Sequence, residues 1–132
     1  MEDNQNILLV KKIYGFFGAG NITGVIDMLS DDVLWIIPSI KNYPPSGTHK
    51  GKDEVNKFFS SLGNFVDTLS FDPKVFAAVD NTVFVQGSYK FKVKKNGNLI
   101  SSDWVEVFLF DNEKIIQYEE YTDTAAFQNA FD

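Results

Sequence analysis

The most apolar stretch of the chain contains a single acid. Glu106 sits in Trp104-Val105-Glu106-Val107-Phe108-Leu109-Phe110, which reads as a strand apolar on both faces. A carboxylate placed there loses much of its hydration unless it is protonated or paired. That raises its pKa and suits it to general acid or base chemistry. Strand alternation groups Trp104, Glu106, Phe108 and Phe110 on one face. On the following strand Tyr118, Glu120 and Thr122 share a face, and Gln117, Glu119 and Tyr121 share the other. A three-residue turn at 111–113 sets Phe108 opposite Tyr118 and Glu106 opposite Glu120, whereas a two-residue turn sets Glu106 opposite Glu119. In either register two acids approach, and like charges that close force one of them to keep a proton. The competing reading puts Glu106 at a sheet edge or a dimer seam, tied to a lysine.

His49 is the one histidine, placed after Pro44-Pro45-Ser46-Gly47 and before a helix. Its side chain titrates near neutrality when unperturbed, so it is the natural third proton carrier at a pocket mouth. The plainer alternative is an exposed loop histidine. Tyr43 in the same loop reads as a lid. Trp35, Phe58, Phe59, Leu62 and Tyr89 are candidate pocket walls, joined by Trp104, Phe108, Tyr118 and Thr122 from the two acidic strands. A helical aromatic stripe is also what an ordinary core looks like. Asp31-Asp32 reads as a turn and cap rather than a cation site.

Composition narrows the chemistry. The 132 residues contain no cysteine, which excludes disulfides and thiolate chemistry, and a single histidine rules out a multi-histidine zinc site within one chain. Neither a metal nor a cofactor is expected. Eighteen acids face twelve bases, for a net charge of −6, and every base is lysine. Nucleic acid is a poor partner for such a surface, and the bidentate arginine fork is missing. Lys90, Lys92, Lys94 and Lys95 read as a solvated strand face that resists aggregation. No apolar run reaches the roughly 20 residues of a membrane span, and the polar, acidic opening is unlike a signal peptide, so a cytoplasmic chain is expected. Thirteen Phe, five Tyr and two Trp exceed what one small core needs. The excess points to a cavity wall, a dimer interface or both.

The elements that must position these residues follow from periodicity. Leu9, Ile13, Phe16 and Phe17 form one helical stripe over residues 6–17, with Asn6 as N-cap and Gly18-Ala19-Gly20-Asn21 as the stop. A short helix runs from Ile22 to Leu29, a strand from Val33 to Ile37, and a long loop from Ser39 to Gly51. A helix follows from Lys52 to Leu62, with Val55, Phe58, Phe59 and Leu62 facing inward. Four strands come next, at Leu69–Val79, Thr82–Lys94, Leu99–Phe110 and Lys114–Thr122, separated by Asp80-Asn81, Asn96-Gly97 and Asp111-Asn112. A helix from Thr124 to Phe131, capped by Asp123, closes the chain. Helices first and a meander second predict a single α+β domain over 1–132, with helices laid on one face of a mostly antiparallel sheet.

This layout resembles the nuclear transport factor 2-like superfamily and, within it, the SnoaL-like, ketosteroid isomerase-related proteins. The resemblance rests on Gly20-Asn21, Val33-Leu34-Trp35 before Pro38, Gly47-Thr48-His49-Lys50-Gly51, Trp104 to Phe110, Lys114-Ile115 and Tyr121-Thr122-Asp123-Thr124. It implies a curved sheet forming a cone with the helices, an apolar pocket inside and a homodimer. The ketosteroid isomerase base position falls on Ile37, which cannot move a proton. The oxyanion tyrosine position falls nearest Ile13, with Tyr14 one residue away, and the second oxyanion acid falls on Glu106. An epoxide hydrolase site of the limonene type needs an arginine this chain lacks. The acid that SnoaL-type cyclases use on the last strand falls nearest Glu120. Two functions remain. One is cofactor-free acid-base catalysis (isomerase, cyclase or lyase) on a small apolar molecule, by Glu106, Glu120 and His49. The other is a non-catalytic module that binds a hydrophobic ligand or dimerises.

Overall fold

A computed structural model describes residues 4–132. The elements are α1 (Gln5–Gly18), α2 (Ile22–Asp27), β1 (Leu29–Ile37), β2 (Gly47–Lys50), α3 (Gly51–Phe65), β3 (Val66–Val79), β4 (Thr82–Val93), β5 (Leu99–Asp111), β6 (Lys114–Thr122) and α4 (Thr124–Phe131). The strands form one sheet in the order β2-β1-β6-β5-β4-β3, with β1 and β6 parallel and every other pair antiparallel. The chain is therefore α+β, as its element order predicts. No helix among the described residues is long and apolar enough to cross a membrane.

Strand alternation sorts the sheet into two faces. Val83, Val85, Tyr89, Phe91 and Val93 of β4 are buried, as are Ile100, Trp104, Glu106, Phe108 and Phe110 of β5. Against this inner face lie Val10 and Ile13 of α1, Val55 and Phe58 of α3, and Phe127 and Phe131 of α4. The β4–β5 turn holds α4 in place. Lys95 Nζ donates to the Phe131 carbonyl at 2.6 Å, and Asn96 and Asn98 side-chain amides donate to the Ala130 carbonyl at 2.9 and 3.0 Å. These groups satisfy carbonyls that a helix end leaves open.

Four boundaries differ from the sequence expectation, each for a local reason. Asn4, not Asn6, caps α1, because its Oδ1 accepts from the Asn6 and Ile7 amides at 2.8 and 3.4 Å. Leu29 starts β1 instead of ending α2, since it pairs with Ile115 and the strand then bulges through the exposed Asp31 and Asp32 before pairing resumes at Leu34. Inside the expected loop, residues 47–50 form β2, which folds back on the end of β1. α3 does not end at Leu62 but continues through Gly63 to Phe65 and passes directly into β3 at Val66, three residues before the expected start at Leu69. A glycine ends a helix only where the chain can use its left-handed conformation, and Gly63 does not adopt it.

The closest backbone approach is at Gly87, opposite Trp104. A Cβ there would stand 2.5 Å from the Asp72 carbonyl oxygen and 2.6 Å from the Trp104 ring. Backbone on one side and a buried indole on the other leave nothing free to yield. Gly87→Ala is expected to cost about 3 kcal/mol, at the upper end of ordinary overpacking, as read by urea unfolding. An unchanged midpoint would refute this packing.

Candidate functional site

The turn between β5 and β6 decides which acids meet. Asn112 and Glu113 both take positive φ, so the turn has two residues, and Asp111 pairs with Lys114 and Phe110 with Ile115. A shift between Leu109 and Phe110 then leaves Ile116 as an extra residue, so Leu109 meets Gln117 and Phe108 meets Tyr118. Glu106 therefore lies directly opposite Glu120, not Glu119. A short turn plus a bulge gives the register that sequence reasoning assigned to a longer turn. Because β5 lies between β4 and β6, Glu106 is not at a sheet edge.

Both acids are buried and both line a cavity of about 70 Å³ bounded by the sheet, the four helices and the 38–46 loop. Glu106 is fully engaged. Tyr14 of α1 donates to Oε1 at 2.8 Å and Tyr118 of β6 donates to Oε2 at 2.7 Å. The Tyr118 ring stacks on Trp35 of β1, with centroids 3.8 Å apart and planes 15° from parallel, which fixes the phenol that meets Glu106. Glu120 is less committed. The hydroxyl beside it belongs to Tyr89, which donates to Thr122 Oγ1 at 2.6 Å.

Burial pushes both carboxyls above the ordinary range. Glu106 rises to about 7, against the opposing effect of the Tyr118 and Tyr14 hydrogen bonds. Glu120 rises to about 8, through burial first and the Glu106 charge second, with Tyr89 opposing. Glu106, with two phenols donating to it, is the better-supported carboxylate, and Glu120 holds the proton near neutrality. Burial and then the adjacent Glu106 keep the Tyr14 and Tyr118 hydroxyls un-ionised, so both act as donors.

The cavity brings together Trp35, Tyr43, Phe58, Phe59, Leu62, Tyr89, Phe108, Tyr118 and Thr122. Tyr43 is buried against Phe127 and Phe131, with centroids 5.3 and 5.1 Å away. Two expectations need correction. Trp104 does not line the cavity. Its ring lies behind Phe71, stacked at 5.1 Å, where it supports the wall. His49 is not on the wall either. Its Nε2–H donates to the Pro45 carbonyl at 2.8 Å and its ring packs on Phe58, because pairing of β2 with β1 turns it toward its own loop. Sequence reasoning missed Tyr14, which it placed one residue from an oxyanion position, about 100° round an ideal helix. The available signal was a tyrosine next to the buried Ile13. Among the described residues no cluster of three or more His, Asp or Glu is placed to hold a metal ion.

Residues 10–118 match the family model of the SnoaL-like domain. Two similar solved structures are NTF2-like proteins. One, of unknown function, is from Burkholderia pseudomallei (25% identity, 98% of each chain covered, TM-score 0.89). The other is from Burkholderia xenovorans (27% identity, 100% of this chain and 99% of that one, TM-score 0.88). TerC, co-crystallized with polyporic acid, is similar over 97% of this chain and 98% of its own at 22% identity, with a TM-score of 0.83. No curated protein sequence matches the chain.

The two acids set a pH dependence of stability. Their folded pKa values lie above the unfolded ones, so the folded chain binds more protons. The stability this provides is complete below the ordinary carboxylate range and is lost as pH rises through about 7 to 8. The urea midpoint is expected to fall between about pH 5 and about pH 9, and the Glu106→Gln/Glu120→Gln double variant to flatten that fall. A wild-type midpoint that rises across the same range would contradict the arrangement.

Proposed function

The chain belongs to the SnoaL-like domain family, and from that premise we propose that it holds a small, apolar, oxygen-bearing molecule and moves a proton on it without a cofactor. The observation that carries this reading is the unequal pair. Glu106 spends both oxygens on phenols, while Glu120 faces the same cavity with only the Tyr89 hydroxyl beside it. Glu120 is the acid that reaches the guest, and Glu106 is the positioning residue whose charge keeps Glu120 protonated. An isomerase, cyclase or lyase step needs one such group to give a proton at an oxygen and to recover it from carbon. The aromatic wall excludes water, which strengthens both effects.

Cavity size limits the guest. About 70 Å³ exceeds the ~10–15 Å³ one water needs but falls short of the ~150 Å³ that holds benzene. A larger molecule must displace rings, and Tyr43 is the wall ring carried by the 38–46 loop rather than by a helix or strand. Polyporic acid, with which TerC was co-crystallized, is a reasonable first compound to try.

The outer sheet face supports a homodimer. Val75, Phe84 and Tyr121 are 58, 41 and 54% exposed there, and on β5 the half-buried Val105 lies beside Tyr121 and the half-buried Val107 beside Phe84. Exposed apolar side chains gathered on one face of a small domain mark an interaction surface. A purely binding role for the cavity is the competing outcome of the test below.

Native mass spectrometry against a panel of small phenols, quinones and enones identifies the guest. Glu120→Gln is then expected to keep that guest bound while slowing its conversion by about 100-fold or more. Equal conversion by this variant would refute the assignment, and binding with no conversion by wild type would make the chain a binding module. Sedimentation is expected to give a dimer for wild type and a monomer for Phe84→Glu. Identical profiles would place any interface elsewhere.

A further inference from the structure

Tyr89 belongs to two surfaces at once. It lines the interior cavity, and it also lines a polar groove on the outside of the domain together with Ser102 and Asp103. A run of hydroxyls joins the two. Tyr89 donates to Thr122 Oγ1 at 2.6 Å, Thr122 donates to Ser102 Oγ at 3.0 Å, and Ser102 donates to the Asp103 carbonyl at 2.6 Å. The Asp123 amide donates to Ser102 Oγ at 3.1 Å and holds it in place. Thr122 lies two residues beyond Glu120 on the same face of β6, and the Tyr89 hydroxyl lies within hydrogen-bond reach of Glu120, so the inner end of the run meets that acid.

We propose that Tyr89, Thr122 and Ser102 form a proton relay between Glu120 and water in the outer groove. The proposal rests on the reading of Glu120 as the acid that serves the guest. A guest seated among the rings blocks the direct path from solvent to Glu120, and a turnover that leaves the acid without the proton it started with needs another path to restore it. Each of the three links is a hydroxyl, which can accept and donate together. A side-chain amide in any of the three places would accept through its oxygen and donate through its nitrogen, satisfying its neighbours and passing nothing on.

In the outward direction the Glu120 O–H proton goes to the Tyr89 oxygen as the Tyr89 proton goes to Thr122. The Thr122 proton goes to Ser102, and the Ser102 proton turns from the Asp103 carbonyl to a groove water. Every hydroxyl oxygen loses one proton and gains one, so the net change is a Glu120 carboxylate and a proton in water. Reloading is the same path reversed. Burial keeps the Tyr89 phenol from ionising, so the protons shift together and no phenolate forms.

The test is the rate at which the protonated Glu120 carboxyl exchanges with D₂O, followed by stopped-flow infrared on the isotope shift of its C=O band. Glu120→Gln identifies that band by removing it. Thr122→Val and Ser102→Ala are expected to slow the exchange by about tenfold or more, with the band still present at neutral pH. Thr122→Ser, which restores a hydroxyl, is expected to return the wild-type rate. Should Thr122→Val not fold, Ser102→Ala, on the partly exposed rim, carries the comparison alone. An unchanged rate in both variants with the band intact would overturn the relay and leave Glu120 as the acid. A wild-type spectrum without the band near neutrality would overturn Glu120 as the acid, and the relay with it.

Discussion

Two carboxyl groups forced to share one dry place are the constraint on which this molecule turns. Directly opposed positions on neighbouring strands hold side chains roughly 5 Å apart at Cβ, too close for two negative charges in an apolar setting. The surroundings are unequal, and that inequality makes the pair useful. Tyr14 reaches from α1 and Tyr118 from β6 to the same carboxyl, so Glu106 keeps its charge and its neighbour keeps a proton. The two phenols arrive from different layers. Docking of α1 on the sheet and the electrostatics of the site are thus one arrangement: displacing the helix removes a donor from Glu106.

The aromatic excess serves that arrangement more than it serves bulk stability. Trp35 fixes Tyr118 by stacking, Phe108 meets both Tyr14 and Tyr118 edge-on, and Trp104 backs Phe71. Each ring restricts a phenol that would otherwise rotate away from the acid. The cost shows in two buried indole N–H groups, Trp35 Nε1 and Trp104 Nε1, that have no partner. An unsatisfied donor costs about 1–3 kcal/mol, so these rings are placed for shape at the expense of hydrogen bonding.

How far the sequence could be read depended on how local each signal was. The hairpin strands and α4 were legible because period-two alternation and the Asp123 cap are written in adjacent residues. Glu106 was legible because an acid among Trp, Val and Phe needs no fold to look misplaced. The β5–β6 register was not, because the Ile116 bulge leaves no mark in composition and compensates for a shorter turn. β2 was hidden for a related reason: Gly47-Thr48-His49-Lys50 is a strand only because β1 offers it an edge. That same pairing took His49 out of the site. Tyr14 was missed because its partner lies 92 residues away, and position on a helix does not say which acid it will meet.

The parallel contact of β1 with β6 carries a further meaning. Inside the sheet this contact joins an early segment to one near the end, with β2 to β5 made in between, so the pairing is strongly non-local. Folds with such contacts assemble slowly, because a long loop must close before its contacts compensate for the lost entropy. On a ribosome, β1 can pair early with β2 at its end, but its other edge stays open, beside the greasy Val33, Trp35 and Ile37, until β6 has emerged, which makes synthesis the interval when this chain most needs a chaperone.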